Sequence, residues 1–386
     1  MEEAKESPGL SLCQQVSDFM RMVLRFKIDG TDPSLVPIPA GLSANMMEDS
    51  YLCVDILLRA CQTINTYQTP WTLHELRNWR RGGRKKEFPL TAELIHPSVN
   101  GQKEVYRDTP CNVRDREGRI MCYYLPGILS QRRQRQLQTA ILDLCDSSIQ
   151  PLTLDPASGR HWRTNSVLFK DGDTMNLRMD PGAACYSPCW LEQGHPHSPP
   201  GPSATLMNNI ANLTLLQDTQ EVAALMGGIL SIIHPALFQR GMDVWKTLYA
   251  DPWPLRNGDR VRDLLDLWAT PFTAMSVIAN RETPHHRDLN GGLNFFDAIL
   301  TFGTYEEGRF ELPEIGRRFR YDRGTAIFME ARSLAHGASA VVGERCCLVL
   351  FFRPLMLKRE LPEEEMDPED VPMPTLGELR AAVRSD

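Results

Sequence analysis

The chain has no apolar run of the roughly 18 residues that a membrane span needs. Its longest apolar stretch, Val222 to Ile233, is short and contains Gly227, Gly228 and Ser231, a pattern that predicts a buried helix instead. The amino terminus, Met1-Glu2-Glu3-Ala4-Lys5-Glu6, lacks the basic-then-apolar pattern of a secretory signal. The expectation is an intracellular protein without membrane contact. Positive charge is not in surplus either: 42 Lys and Arg face 49 Asp and Glu, a net charge of −7. That balance argues against indiscriminate binding to polyanions. There is no internal repeat. The ten cysteines are mostly single and flanked by apolar residues, as reduced core thiols are. Cys185 and Cys189 with His195 and His197 make a CxxxC…HxH cluster whose spacing is not that of a common zinc module. Two readings stay open for it, a bound zinc or a proline-rich surface loop.

What is present suits a globular chain. With 386 residues, 42% hydrophobic and 24% charged, it can bury a large core in one to three domains. Helical spacing of apolar residues runs through 9–30 and 45–68, and a short amphipathic stretch spans Trp71 to Trp79. Strands are expected at 105–106 and 119–124, a helix over 127–146 capped by Ser130, and a strand over 166–170. A proline-rich loop follows at 181–203, then two or three helices across 204–268. After Pro271 short strands dominate, at 272–279, 293–302, 308–312, 318–321, 325–329 and 345–352. The organisation is α+β: an N-terminal helical region over 1–100, a main domain over 101–355 and an acidic tail over 356–386. Within the main domain, 101–270 mixes strands and helices, and 271–355 forms an all-β sandwich or barrel packed on the preceding helices. The tail from Glu360 to Asp370 carries seven acids and no base, whereas Arg77, Arg80, Arg81, Arg84, Lys85 and Lys86 form a basic block.

The chemistry concentrates late in the chain. His286-Arg287-Asp288 follows the strand at 272–279, and His336 comes 48 residues after Asp288. Two histidines and one carboxylate form a three-ligand facial set that leaves open positions on iron. In extended backbone, alternation puts 286 and 288 on one side and turns His285 the other way. H-x-D…H alone is a weak signal. Arg345 strengthens it: an arginine opening the apolar strand Cys346 to Phe352 is costly unless it meets an anion. The far carboxylate of 2-oxoglutarate is a fitting bidentate partner.

This pattern resembles the 2-oxoglutarate/Fe(II) oxygenases built on a double-stranded β-helix. More narrowly it resembles the TET/JBP family of nucleic-acid base oxygenases, in particular its fungal branch. The residues that carry the resemblance are His286-Arg287-Asp288, His336-Gly337 and Gly343 to Phe352. The stretch from Tyr106 to Gly127 adds to it less decisively. The resemblance implies a jelly-roll core flanked by helices, with Fe(II) held by His286, Asp288 and His336. It also implies 2-oxoglutarate gripped by Arg345, O₂ as co-substrate, and Arg281 as a second cosubstrate contact, a solvated loop arginine being the alternative for that residue. Relatives carry a small hydroxyl residue where this chain has Cys347.

The family flips a methylated base out of DNA and oxidises its methyl group. By the resemblance, Phe351 is the stacking ring, a plain core residue being the alternative. Arg353 stands where relatives place a cytosine-contacting histidine, and Gly291 where cytosine-acting relatives are polar. Asp297, a carboxylate inside the apolar strand Leu293 to Leu300, needs a partner. It is the candidate catalytic and base-reading residue, an acceptor for the exocyclic amine of N6-methyladenine or 5-methylcytosine, unless it pairs with a structural arginine. Gly291 leaves room for a purine. The expected partner is duplex DNA with a flipped base, the expected site of action the nucleus, and the expected state a monomer. Candidate phosphate contacts are Arg80, Arg81, Arg84, Lys85 and Lys86, and secondly Arg317, Arg318, Arg320 and Arg323, a solvated charged face being the alternative for both runs. The alternatives are an oxygenase acting on a protein side chain or small molecule, and a non-catalytic β-barrel reader.

Overall fold

The computed structural model describes residues 6–78, 107–145, 162–170, 179, 181–191, 198–207, 210–250, 255–358, 373–375, 377–379 and 381. The basic residues Arg80 to Lys86, the strand expected at 105–106, His195, His197 and the acids from Glu360 to Asp370 lie outside them.

Helix α1 (Pro8–Ile28) starts where its sequence allows. Ser7 accepts from the Leu10 N–H, Pro8 needs no hydrogen-bond partner in the first turn, and Arg25 and Lys27 sit at the carbonyl end. Its apolar side, including Val16, Phe19, Met20 and Val23, is fully buried. Burying each such large side chain is worth roughly 1.5–3 kcal/mol. Helix α2 (Ala44–Ala60) ends earlier than its periodicity predicts, because Thr66–Gln68 leaves the helix to become strand β1. Helix α3 (Leu73–Asn78) is the amphipathic stretch before the basic block. Helix α4 (Gln131–Cys145) begins after Ser130, whose hydroxyl accepts from the Arg133 N–H. After α5 (Ala204–Met207), helix α6 (Ile210–Ile233) contains the apolar run and is buried nearly all round. Gly227 lets α1 and the chain at 271 approach it: a Cβ there would lie 2.7 Å from Cys13 Sγ and 2.9 Å from Pro271 Cδ. Helices α7 (Pro235–Ala250), α8 (Gly258–Leu265) and α9 (Pro354–Lys358) complete the set among the described residues. None of these helices is long and apolar enough to cross a membrane.

The strands are β1, β2 (Cys111–Arg114), β3 (Ile120–Leu125), β4 (Gly182–Tyr186), β5 (Ala274–Ala279), β6 (Thr283–His286), β7 (Asp297–Glu306), β8 (Arg309–Leu312), β9 (Arg317–Arg320), β10 (Ala326–Met329), β11 (His336–Ala338) and β12 (Val342–Phe351). They form an eight-stranded sheet in the order β1-β2-β3-β10-β7-β12-β5-β4 and a four-stranded sheet in the order β6-β11-β8-β9. All pairings are antiparallel except β1 with β2. The two sheets make the jelly-roll core, with α2 and α4 packed on the large sheet and α1 on α2 and α6. One continuous apolar core runs from Leu10 to Leu379.

Two sequence expectations are corrected. Residues 166–168 form a 3-10 turn rather than a strand, because Phe169 alone bridges to Arg281. The proline-rich segment contains β4, which pairs along β5. That pairing commits Cys185 to the sheet and leaves Cys189 buried, and the histidine–acid triad is the one metal-type cluster among the described residues.

His234, at the end of α6, is fixed as a neutral ring. Its Nε2 lies 3.0 Å from the Asn294 carbonyl and its Nδ1 accepts from Leu237 N–H at 3.4 Å. Burial pushes its pKa down to about 4. An unfolded histidine titrates near ~6.5, so between those values the unfolded chain binds the extra proton, and stability falls as pH drops from about 6.5 toward 4. His234→Gln, which retains an N–H donor, is therefore expected to remove about 2 kcal/mol of the stability loss between about pH 7 and 5. Urea unfolding at the two pH values measures it, and an unchanged loss would refute this assignment.

Candidate active site

His286 ends β6 and faces His336 at the start of β11 in the antiparallel register. Their rings lie 4.3 Å apart, and Phe310 packs parallel to His336 from the next strand. Gly337 permits this pairing, since a Cβ there would lie 2.7 Å from His285 Cδ2 and 2.9 Å from the Thr283 carbonyl. Asp288 follows two residues after His286, its N–H bonded to the Ala331 carbonyl at 3.0 Å. Its carboxylate oxygens lie 3.5 Å from His286 Nε2 and 3.7 Å from His336 Nε2. One ligand atom from each residue fits within 4.8 Å of the others.

Both imidazoles are oriented from behind. His286 Nδ1 lies 2.9 Å from the Pro284 carbonyl and His336 Nδ1 lies 3.0 Å from the Leu334 carbonyl. A carbonyl there holds the proton on Nδ1 and leaves the Nε2 lone pair facing Asp288. Burial, reinforced by His286, pushes His336 down to about 4, so it is neutral at neutral pH. Burial by itself would raise Asp288, but hydrogen bonding to His286 and the proximity of His336, His286 and Arg163 hold it well below the usual carboxylate range. Two imidazoles and one carboxylate are the donor set that a divalent iron takes. His285 turns away, its Nε2 2.8 Å from Glu311 Oε2.

Arg287, between two members of the triad, points into the protein. It is ion-paired with Glu314, both side chains being 2% exposed, and donates to the Leu76 carbonyl. Glu314 also accepts from the Ala335 N–H at 2.9 Å. One buried pair thus anchors the chain beside Asp288 and beside His336.

The triad opens onto a cavity of about 600 Å³. Its floor is the inner face of the large sheet, where alternation brings Asp297 and Ile299 of β7, Cys347, Val349 and Phe351 of β12 and Ser276 and Ile278 of β5 to one side. Arg345 lies on that same side of β12, two residues before Cys347. Its Nη2 donates to the Arg281 carbonyl at 2.8 Å and its backbone N–H to Asn280 Oδ1 at 3.0 Å. Arg345 Nη1 and Arg281 Nε are buried without a hydrogen-bond partner among the described residues. Arg281 is no solvated loop arginine: it is 8% exposed, lines the cavity and lies 5.0 Å from the Trp162 ring. Burial lowers its pKa to about 10, so it remains cationic at neutral pH. Two buried guanidiniums with N–H groups to spare, next to a triad, fit a dicarboxylate cosubstrate.

Gly291, Asp297, Phe351 and Arg353 all line the same cavity. No described cation lies within ion-pair distance of Asp297, and Arg353 instead stacks near Trp190 and Phe351. Burial, with the negative charges of Asp288 and Glu330, pushes the Asp297 carboxyl well above its usual range. Of the basic candidates, Arg77 is drawn inside to Ser333, Asn294 and Glu330. Arg318 pairs with Glu311 and Arg320 with Asp322, while Arg323 is exposed.

Sequence reasoning missed three site residues. Trp162 packs 4.5 Å from the His286 ring, and Arg163 reaches Asp288 Oδ1 at 2.6 Å. They sit in a segment without periodicity, so nothing local marks them. Tyr321 lines the cavity with its hydroxyl 3.8 Å from Cys347 Sγ. Its alternation with buried Phe319 was the available signal.

Residues 188–354 match the family model Tet_JBP, the oxygenase domain of the 2OGFeDO superfamily. This region is a TET/JBP-type oxygenase domain. Among solved structures, NgTET1 in complex with 5mC DNA is similar at 13% identity and a TM-score of 0.44, covering 66% of this chain and 80% of that one. The viral collagen prolyl hydroxylase vCPH from Paramecium Bursaria Chlorella virus-1, as its 2OG complex, is similar at 12% identity and a TM-score of 0.27, covering 60% and 94%. No curated protein matches the chain. The TET/JBP-type domain is a 2-oxoglutarate-dependent oxygenase and uses Fe(II), 2-oxoglutarate and O₂.

Proposed function

We propose that this chain oxidises the methyl group of methylated bases in DNA, N6-methyladenine and 5-methylcytosine, with the base flipped from the duplex into the cavity. The reading is carried by one juxtaposition: a buried carboxyl, an aromatic ring and a glycine share the cavity with the triad. The cavity lies in the ~300–1,000 Å³ range of small-molecule sites.

In this reading His286, Asp288 and His336 hold Fe(II), while Arg345 and Arg281 hold the carboxylates of 2-oxoglutarate. Bound there, the metal and cosubstrate supply the oxidation of an unactivated C–H bond. The chain's own work is positioning. Phe351 offers a stacking face to the base. Asp297, held neutral by burial, presents a carbonyl that accepts from the exocyclic amine and a hydroxyl that donates to the adjacent ring nitrogen. Both bases offer that amine-and-nitrogen edge. Gly291 leaves space beside them, its nearest obstruction to a Cβ being the Asp288 carbonyl at 3.1 Å. A hydroxylated N-methyl group decomposes to formaldehyde and the bare amine, whereas a hydroxymethyl on carbon persists. Backbone phosphates are met by Arg80, Arg81, Arg84, Lys85 and Lys86, and such a substrate places the protein, as a monomer, in the nucleus.

Nucleoside mass spectrometry after incubation with duplexes carrying each methylated base tests the proposal. Asp297→Ala is expected to lower turnover roughly 10–100-fold, the cost of an unmatched polar edge, and to affect adenine more than cytosine. Asp297→Asn, which retains a donor and an acceptor, is expected to recover most of the activity. Equal losses on the two bases would remove the adenine-reading role. Succinate release without change to any base would sink the DNA reading.

A further inference from the structure

A cluster of like charge lies at the edge of the sandwich remote from the triad. Tyr67 belongs to β1, the end strand of the large sheet, and Arg317 opens β9, the end strand of the small one. Arg107 joins them: its N–H donates to the Arg318 carbonyl at 3.3 Å and its own carbonyl accepts from Arg320 at 2.9 Å. The guanidinium carbons of Arg107 and Arg317 lie 4.5 and 4.3 Å from the centre of the same Tyr67 ring. None of the three residues lines the oxygenase cavity.

These two arginines differ from their neighbours. Arg318 and Arg320 each have a carboxylate, but among the described residues no acid pairs with Arg107 or Arg317. One bond is made by the head groups, from Arg107 Nη2 to Asn65 Oδ1 at 2.8 Å. The Nε atoms of both are buried and without a hydrogen-bond partner among the described residues. Cys111, nearby, supplies no negative charge, because burial pushes its thiol up to about 12. Burial, joined by the like charge of Arg107, pulls Arg317 below its ordinary value. A tyrosine face attracts each cation only weakly, which leaves the mutual repulsion and the unmatched N–H groups unanswered. An oxyanion accepting from both forks answers each, and planar guanidiniums match phosphate oxygens in pairs.

We propose that Arg107 and Arg317, stacked on Tyr67, form a phosphate-binding site separate from the oxygenase cavity. The phosphate is either a phosphodiester of a DNA backbone or free inorganic phosphate, and two measurements on the full chain distinguish these sources. In the first, thermal unfolding is compared in potassium phosphate and potassium chloride at equal ionic strength. Wild type is expected to unfold at a higher temperature in phosphate, and Arg107→Gln/Arg317→Gln to lose that difference. In the second, binding of an unmethylated fluorescent duplex is followed by anisotropy from about 50 to 200 mM salt. If the backbone is the source, the double variant's log–log salt slope becomes shallower by about 0.9, the value of one phosphate contact. Loss of the phosphate response with an unchanged slope assigns free phosphate. Should the double variant fail to fold, Arg317→Gln is read the same way with half the slope change. A variant that unfolds earlier in both salts yet keeps both responses overturns the proposal, as does a wild type that responds to neither probe. Because the duplex carries no methylated base, these outcomes are independent of whether bases are oxidised.

Discussion

Asp288→Ala is expected to abolish both iron retention and 2-oxoglutarate turnover while the protein remains folded. The loss should far exceed the roughly 10–100-fold cost of removing a group that only supports a ligand. Asp288 supplies the one carboxylate of the triad, and its two oxygens face both histidines. Without it, two imidazoles remain, with no anionic donor to hold the divalent ion in place. The fold should survive for two reasons. The side chain is 37% exposed, and the N–H of residue 288 bonds to the Ala331 carbonyl whatever the side chain is. Iron content by plasma mass spectrometry, succinate release and the thermal unfolding midpoint together decide the matter. A variant that still binds iron and releases succinate at the wild-type rate would show that the triad is not the metal site.

The largest effect on stability is expected at a residue that never touches the site. Glu314→Ala should cost about 3–5 kcal/mol, because removing one member of a buried ion pair strands the charge it held. Arg287 and Glu314 are each 2% exposed, and Glu314 additionally holds the Ala335 N–H. The same substitution loosens both flanks of the triad: Arg287 lies between His286 and Asp288, and Ala335 precedes His336. Weaker iron binding should therefore accompany the lost stability, even though every ligand is intact. Glu314→Gln retains a side-chain acceptor for Ala335 and should fall between wild type and Glu314→Ala in both respects. Urea unfolding and iron titration measure the two effects. A stability loss under about 1 kcal/mol would show that the pair is not the anchor described here.

Local pattern was enough for much of this protein. The first two helices begin within a residue or two of where their apolar spacing places them, because capping and amphipathicity are properties of neighbouring residues. The late strands and the triad were legible for a similar reason. H-x-D needs only the period of an extended chain, and an arginine opening an apolar strand is conspicuous in one dimension. The sequence did not show the two short strands that carry His286 and His336, since three- and four-residue strands have too little alternation to detect. It read 166–170 as a strand and 181–203 as a loop, whereas only pairing with β5 makes 182–186 a strand. It also took Arg77 for part of a basic block and Arg317, Arg318, Arg320 and Arg323 for candidate phosphate contacts, because a sequence carries no record of which acid or ring lies opposite.

The chemistry of this protein was thus determined by the sequence: the donor types at the metal site, the buried arginine and the carboxyl within an apolar strand. Tertiary structure alone decided the company they keep. It set Arg287 on Glu314, Trp162 and Arg163 over the triad, Tyr321 beside Cys347, and Arg107 and Arg317 on Tyr67. Ligand chemistry depends on side-chain type and local period, which the chain states directly. Burial and charge pairing depend on residues tens to hundreds of positions apart, and those meet only when the chain has folded.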